Sequence, residues 1–191
     1  MREPKPGSLT YLVQEEYLTA MNVTVNDSVT SLHASPDSDD PIYFWQLFSV
    51  LGEDRIRCLI QTFYELVLQD DTPFGEAFRE TGTLSHHVDR QTLFWLDVTG
   101  GGHSYLGGEK KLKMKHRLSE DVMNVRGARR WMYHFIRALR RSDLGDQPVR
   151  VLSCIVDFLV FFMQRYAVEF DFNFAADTGV LQVLKGIRHR L

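Results

Sequence analysis

The sequence predicts an all-α fold, and three observations carry that prediction. Apolar residues recur at helical spacing, as in Ile56, Leu59, Ile60, Phe63, Leu66 and Val67. The segments that interrupt this rhythm carry glycine or proline, at Gly52, Pro73 and Gly100 to Gly102. No pair of alternating runs joined by a hairpin signal occurs, and no internal repeat.

Each element follows in order. Residues 1–40 read as an N-terminal arm, partly disordered or a short helix. Within it SLTYLVQEEYLTAMNV puts Leu9, Leu12, Val13, Tyr17 and Met21 roughly on one side, which predicts a short amphipathic helix. The following VNDSVTSLHASPDSDDP is polar, acidic and aperiodic, as a linker would be. A helical domain spans 41–170. It opens with a compact apolar helix over 42–51 (IYFWQLFSVL), closed by Gly52, and continues with a strong helix over 53–69. Pro73 lacks an amide donor and restricts Thr72, so DDTPF stops that helix. A short turn with Phe74 and Phe78 is expected next. Ser85 is placed to cap a helix that runs to Val98 and breaks at the three glycines. Residues 109–116 predict a short basic helix, 127–141 an arginine-rich amphipathic one, and 147–170 a long apolar one. Residues 171–191 form a C-terminal extension.

Composition narrows the function classes. A chain of 191 residues, 44% hydrophobic and 12% aromatic, fills a real core. Its 13 phenylalanines suit either that core or a pocket for a flat apolar guest. A net charge of −3 gives no general attraction to nucleic acid. Cys58 and Cys154 lie in apolar segments and read as reduced, buried thiols. The richest apolar run, IVDFLVFFM, is interrupted by Asp157 and falls short of the ~20 residues of a membrane span. The N-terminal MREPKPGS lacks the apolar core of a signal peptide. A soluble, cytoplasmic protein is the expectation.

Chemistry-bearing residues gather in two places. In HHVDRQTLFW, the residues His87, Gln91, Phe94 and Trp95 share one helix face that is polar at its start and aromatic at its end. That face either lines a ligand cavity or forms a helix edge whose polar half meets solvent. In LKMKH, His116 ends a short helix after Leu112 and Met114, which suits an axial ligand to haem iron. Lys111, Lys113 and Lys115 either neutralise haem carboxylates or form a solvated face. Zinc fits less well, because short-spaced His and Cys clusters are absent and His86 and His87 point to different faces.

The segments FYELVLQDD, TLFWLDVTGGGHSY, LKMKH and ARRWMYHFIRAL, in that order, resemble the truncated haemoglobins, most closely group II. The resemblance covers about residues 42–165. It implies a truncated globin fold, a helical sandwich around haem b, with N-terminal and C-terminal extensions. Position by position, it makes His116 the iron ligand, Tyr64 the distal tyrosine and Phe78 the aromatic at the corner before the distal helix. His87 and Gln91 fall at the distal-helix positions facing bound gas; a one-residue slip in the glycine run would put Val88 and Thr92 there. Trp131 matches the tryptophan of group II, and Phe94 and Tyr105 match aromatics around the porphyrin; Lys115, from the basic run before His116, is expected near a haem propionate on the reading of the residues alone. Implied partners are oxygen, nitric oxide or another small ligand, with an electron-donor reductase for turnover, and neither nucleic acid nor membrane. Hydrogen bonds from Tyr64, Gln91 and Trp131 to bound dioxygen are worth roughly 1.5–3 kcal/mol each, about ten- to a hundredfold in release rate. Slow release suits redox chemistry, such as nitric oxide dioxygenase or peroxidase-like activity, or sensing. The alternative is a globin-like interaction or signalling module without haem.

Overall fold

The computed structural model describes residues 9–20, 31–102, 122 and 124–169. Every regular element among them is helical. The order is α1 (Leu9–Ala20), a 3-10 turn (Phe44–Gln46), α2 (Leu47–Leu68), α3 (Pro73–Thr81), α4 (Leu84–Val98), α5 (Val125–Leu139) and α6 (Pro148–Glu169). The all-α expectation holds. The basic helix expected over 109–116 and the extension from 171 lie outside the described residues.

α2 is the central element and packs on α3, α4 and α5. Its apolar positions Ile56, Leu59, Ile60, Phe63, Leu66 and Val67 are all buried, as their spacing requires. Gly52 breaks its helical geometry with φ 72°. The separate helix expected over 42–51 is therefore the 3-10 turn plus the first part of α2. Cys58 is exposed, contrary to the expectation, because it sits about 150° around α2 from the Ile56–Leu59–Ile60 stripe. Cys154 is buried, and desolvation pushes its thiol well above the usual range.

The expected turn around Phe74 and Phe78 is instead the nine-residue helix α3. Pro73 occupies its first turn, where a missing N–H costs nothing. A Cβ on Gly75 would lie 2.0 Å from the Asp70 carbonyl oxygen, so glycine lets α3 fold back onto the end of α2. The cap of α4 is Thr83 rather than Ser85: its hydroxyl accepts from the His86 amide. The chain is already extended at Thr83, with ψ 166°, so the helix begins there. At the far end Gly100 adopts φ 94°, and a Cβ there would meet the Trp45 carbonyl at 2.0 Å.

The arm is attached to the helical body. α1 packs on α4 and buries Val13 and Leu18. Tyr17 meets Phe44, Trp45 and Phe161 edge-on, and the Thr10 hydroxyl donates to the Asp97 carbonyl. Residues 31–40, expected as a linker, are held by polar groups: the Gln46 amide donates to the Ser31 and His33 carbonyls, each at 3.0 Å. An aperiodic segment shows no apolar signal for such attachment, since backbone groups make the bonds. In α6, the stretch Pro148–Val168 contains an 18-residue window of mean hydropathy 1.7, so by length and composition it is apolar enough to cross a membrane. Run length alone missed this, because Asp157 and the arginines near the two ends, Arg150 and Arg165, still leave the average high. Within the fold Val151, Ile155, Phe158 and Leu159 of this helix are buried in the core.

Candidate functional site

Four helices converge on an aromatic wall. Tyr64 of α2 and His87 of α4 stack with ring centroids 5.1 Å apart and planes at 5°. Phe78 of α3 stands edge-on to both, at 6.1 and 5.8 Å. The Nε2 of His87 lies 2.9 Å from the Phe78 carbonyl oxygen. A carbonyl only accepts, so this nitrogen carries the proton and donates. Burial pushes the His87 pKa below the usual value, and the bond to Phe78 only partly opposes it. The imidazole is accordingly neutral near pH 7.

Phe63 links this group to α5. It lies 5.0 Å from Tyr64 on one side and 5.0 Å from Trp131 on the other. Trp131 stacks on Phe135 at 4.8 Å, and Phe135 on Trp95 at 5.3 Å. The structure thus brings together Tyr64, Phe78 and His87, with Trp131 one ring away. Phe94 lies at the far end of this chain of rings, edge-on to Trp95 at 6.1 Å and against Phe162 of α6 at 6.0 Å. Gln91 is half-buried, while Val88 and Thr92 are buried. α4 therefore covers two adjacent faces, and its His87 stacks on Tyr64. His116, Tyr105 and Lys115 lie outside the described residues.

Sequence reasoning missed a buried polar centre beside this wall. The Asp70 carboxylate is fully buried and accepts from Arg130 Nε at 2.5 Å, Arg130 Nη2 at 3.1 Å and His134 Nε2 at 2.6 Å. The Thr72 amide donates to it at 2.9 Å. Burial works against ionisation here, but the bonds from Arg130, His134 and Thr72 together outweigh it and hold the carboxyl well below the usual range. His134 is itself lowered, by burial first, with Asp70 opposing. It is thus a neutral donor through Nε2, and its buried Nδ1 has no hydrogen-bond partner among the described residues. Phe74 stacks on its ring at 6.1 Å. Arg79 closes the end of α2 by donating to the carbonyls of Leu68 and Asp70. The signal available was Arg130 and His134 at i, i+4 on one face of an otherwise amphipathic helix.

These features fit a porphyrin. It brings four nitrogen ligands of its own and a flat apolar face, so the protein supplies aromatic surface and as few as one axial ligand. The Tyr64–Phe63–Trp131 wall is such a surface, with neutral hydrogen-bonding groups set into it. Among the described residues no cluster of three His, Cys, Asp or Glu offers a bare ion a site. A surface hollow of about 240 Å³ between Ala34, Ser49, Arg55 and Gln147 shares no residue with the wall.

A sequence model of the bacterial-like globins matches residues 46–164, the stretch that holds α2 to α5, most of α6 and the whole wall. No curated protein matches the chain. The chain belongs to the bacterial-like globin family, of the truncated haemoglobin type, and membership implies a haem-binding globin.

Proposed function

We propose that this globin holds haem b through His116 and binds oxygen or nitric oxide on the side lined by Tyr64, His87 and Trp131, as a group II member would. The observation that carries this reading is the His87–Tyr64 stack, with the His87 N–H turned onto the Phe78 carbonyl. Haem, when bound, supplies an iron that takes a diatomic gas opposite its protein ligand. His87, neutral and occupied by the backbone, leaves that position to the gas. The Tyr64 hydroxyl and the Trp131 indole N–H are the donors this wall offers, and Gln91 adds an amide at its margin. Their bonds act in a surround of Phe63, Phe78 and Phe135 that excludes water, where hydrogen bonds are electrostatically stronger. Phe94, Tyr105 and Lys115 complete the cofactor's surroundings in this reading.

Slow release of the gas favours redox work, such as nitric oxide detoxification in the cytoplasm with an external electron donor, or sensing. An absorption spectrum of the purified protein, ferric, ferrous and after adding oxygen, carbon monoxide and nitric oxide, tests it. Stoichiometric haem with a Soret band that shifts with each gas is expected. Failure to take up haem would overturn it and favour the interaction module.

A further inference from the structure

We propose that the outward face of α5 is the docking surface for an acidic one-electron carrier protein; this rests on the haem reading above and names the partner of that site.

Residues 125–141 contain six arginines and no acid. At 100° per residue, Arg126, Arg129, Arg130, Tyr133, Arg137, Arg140 and Arg141 fall within about 120° of arc, a strip roughly 20 Å long. Arg126, Arg129, Arg140 and Arg141 are exposed, and Tyr133 is 49% exposed. Among the described residues Arg126, Arg137, Arg140 and Arg141 enter no ion pair. Tyr133 is held between two guanidinium groups, Arg130 at 5.1 Å and Arg137 at 5.3 Å. Arg130 is fixed in turn by Asp70.

A merely solvated helix face mixes lysine with glutamate. This one is arginine alone around an exposed, immobilised tyrosine, the residue types that dominate protein interfaces, where lysine and glutamate are depleted. A side chain already held in place loses little further entropy on docking. The charge is local: the chain has 22 basic and 25 acidic residues, so the remainder is acidic and repels a long polyanion. A compact acidic patch on a protein matches one short strip better than a nucleic acid does.

The position supplies the purpose. The opposite face of α5 carries Trp131 in the aromatic wall, so strip and wall are separated by about one helix diameter, ~10–12 Å. A globin that oxidises its iron in turnover needs one electron from outside for each return. That electron leaves the reduced carrier, which is oxidised, and converts ferric to ferrous haem, with no bond made or broken.

The test uses the full chain and a plant-type [2Fe–2S] ferredoxin as the acidic probe. Isothermal titration with oxidised ferredoxin is made on wild type, Arg137→Glu, Arg140→Glu and Tyr133→Ala. Anaerobic stopped flow follows ferric haem reduction by reduced ferredoxin, with dithionite as control. Wild-type binding should weaken with salt, and each variant should bind roughly tenfold more weakly or worse, with dithionite rates and melting temperature unchanged. Equal binding by wild type and variants, or none by either, would overturn the proposal. Tighter binding of a short DNA duplex or of anionic phospholipid vesicles would do the same. The titration requires no haem, so a chain that fails to take up haem sinks the gas-binding reading while the surface is still decided.

Discussion

His87 is fixed in the aromatic wall by the atom that it commits. Its Nε2–H is spent on the Phe78 carbonyl and its ring lies flat on Tyr64, an arrangement for a neutral imidazole. Its pKa in the fold is lowered, by burial first. The contribution to stability is therefore full above the unfolded value of about 6.5 and is lost as pH falls through the lower folded value. The gas-free ferrous spectrum at pH 8 should be five-coordinate in both wild type and His87→Leu. Split, sharp visible bands in wild type that collapse in the variant would show instead that His87 ligates the iron. As pH falls through the lowered folded value, protonation favours swinging the ring to solvent, so gas association measured by flash photolysis should speed up in wild type and stay flat in His87→Leu. Tyr64→Phe and Trp131→Phe each remove one donor, and oxygen dissociation should rise about tenfold or more; unchanged rates in both would remove them from the gas site. His116→Gly should lose haem or need added imidazole to keep it, and a normal Soret band in that variant would end its assignment. Tyr64, Phe78 and His87, singled out in the sequence through the resemblance, do lie in ring contact with one another. The bond from His87 to Phe78 was not legible there, since nothing in a residue pattern says where a backbone carbonyl points.

Asp70 joins three elements that each present a residue to the wall. It follows α2, which carries Tyr64, by two residues; it sits under α3, which carries Phe78; and it accepts from Arg130 and His134 of α5, which carries Trp131. Removing the carboxylate leaves the 3%-exposed His134 side chain without its partner, whereas Arg130, at 39%, turns to water. Asp70→Ala should accordingly cost about 2–4 kcal/mol, below the full penalty for breaking a fully buried pair, measured by urea denaturation. The folded carboxyl lies below its unfolded value of about 3.9, so this stability is present above that pH and lost as pH falls through the folded one. Asp70→Asn should flatten the acid limb of a stability–pH curve, and an unchanged limb would mean that Asp70 is protonated in the fold. Periodicity found α2, α4, α5 and α6 because each buries a long stripe. It missed α3, whose nine residues show only Phe74 and Phe78 and open on a proline that resembles a stop signal. It missed the Asp70 centre because the partners are 60 and 64 residues away, and a spacing rule reports which face is buried but not against what.

The same limit applies to the whole molecule. The amphipathic spacing of α1 predicted a helix, but not that this helix closes the core beside α4 and α6. Its Leu18 is 4% exposed and its Val13 1%; Tyr17 reaches Phe161, and Glu16 pairs with Arg165 at 3.0 Å. The bonds from Gln46 to residues 31 and 33 fasten the chain that follows. A residue of a loosely attached arm can be truncated without consequence; one that fills a core cannot. Leu18→Ala deletes buried methyl groups and leaves a cavity, which costs about 2–4 kcal/mol where surroundings close in partly. For a chain of this size that lowers the melting temperature by roughly 5–15 °C. α1 contributes no ring to the Tyr64–His87 stack, so haem content and the Soret maximum of the folded variant should match wild type. Calorimetry and a spectrum on the same sample check both. A melting temperature unchanged by Leu18→Ala would show that α1 is not part of the cooperative core. A fall in stability together with a shifted Soret band would show that packing of α1 is transmitted through α4 to the haem side, making the first helix a regulator of the site rather than a brace.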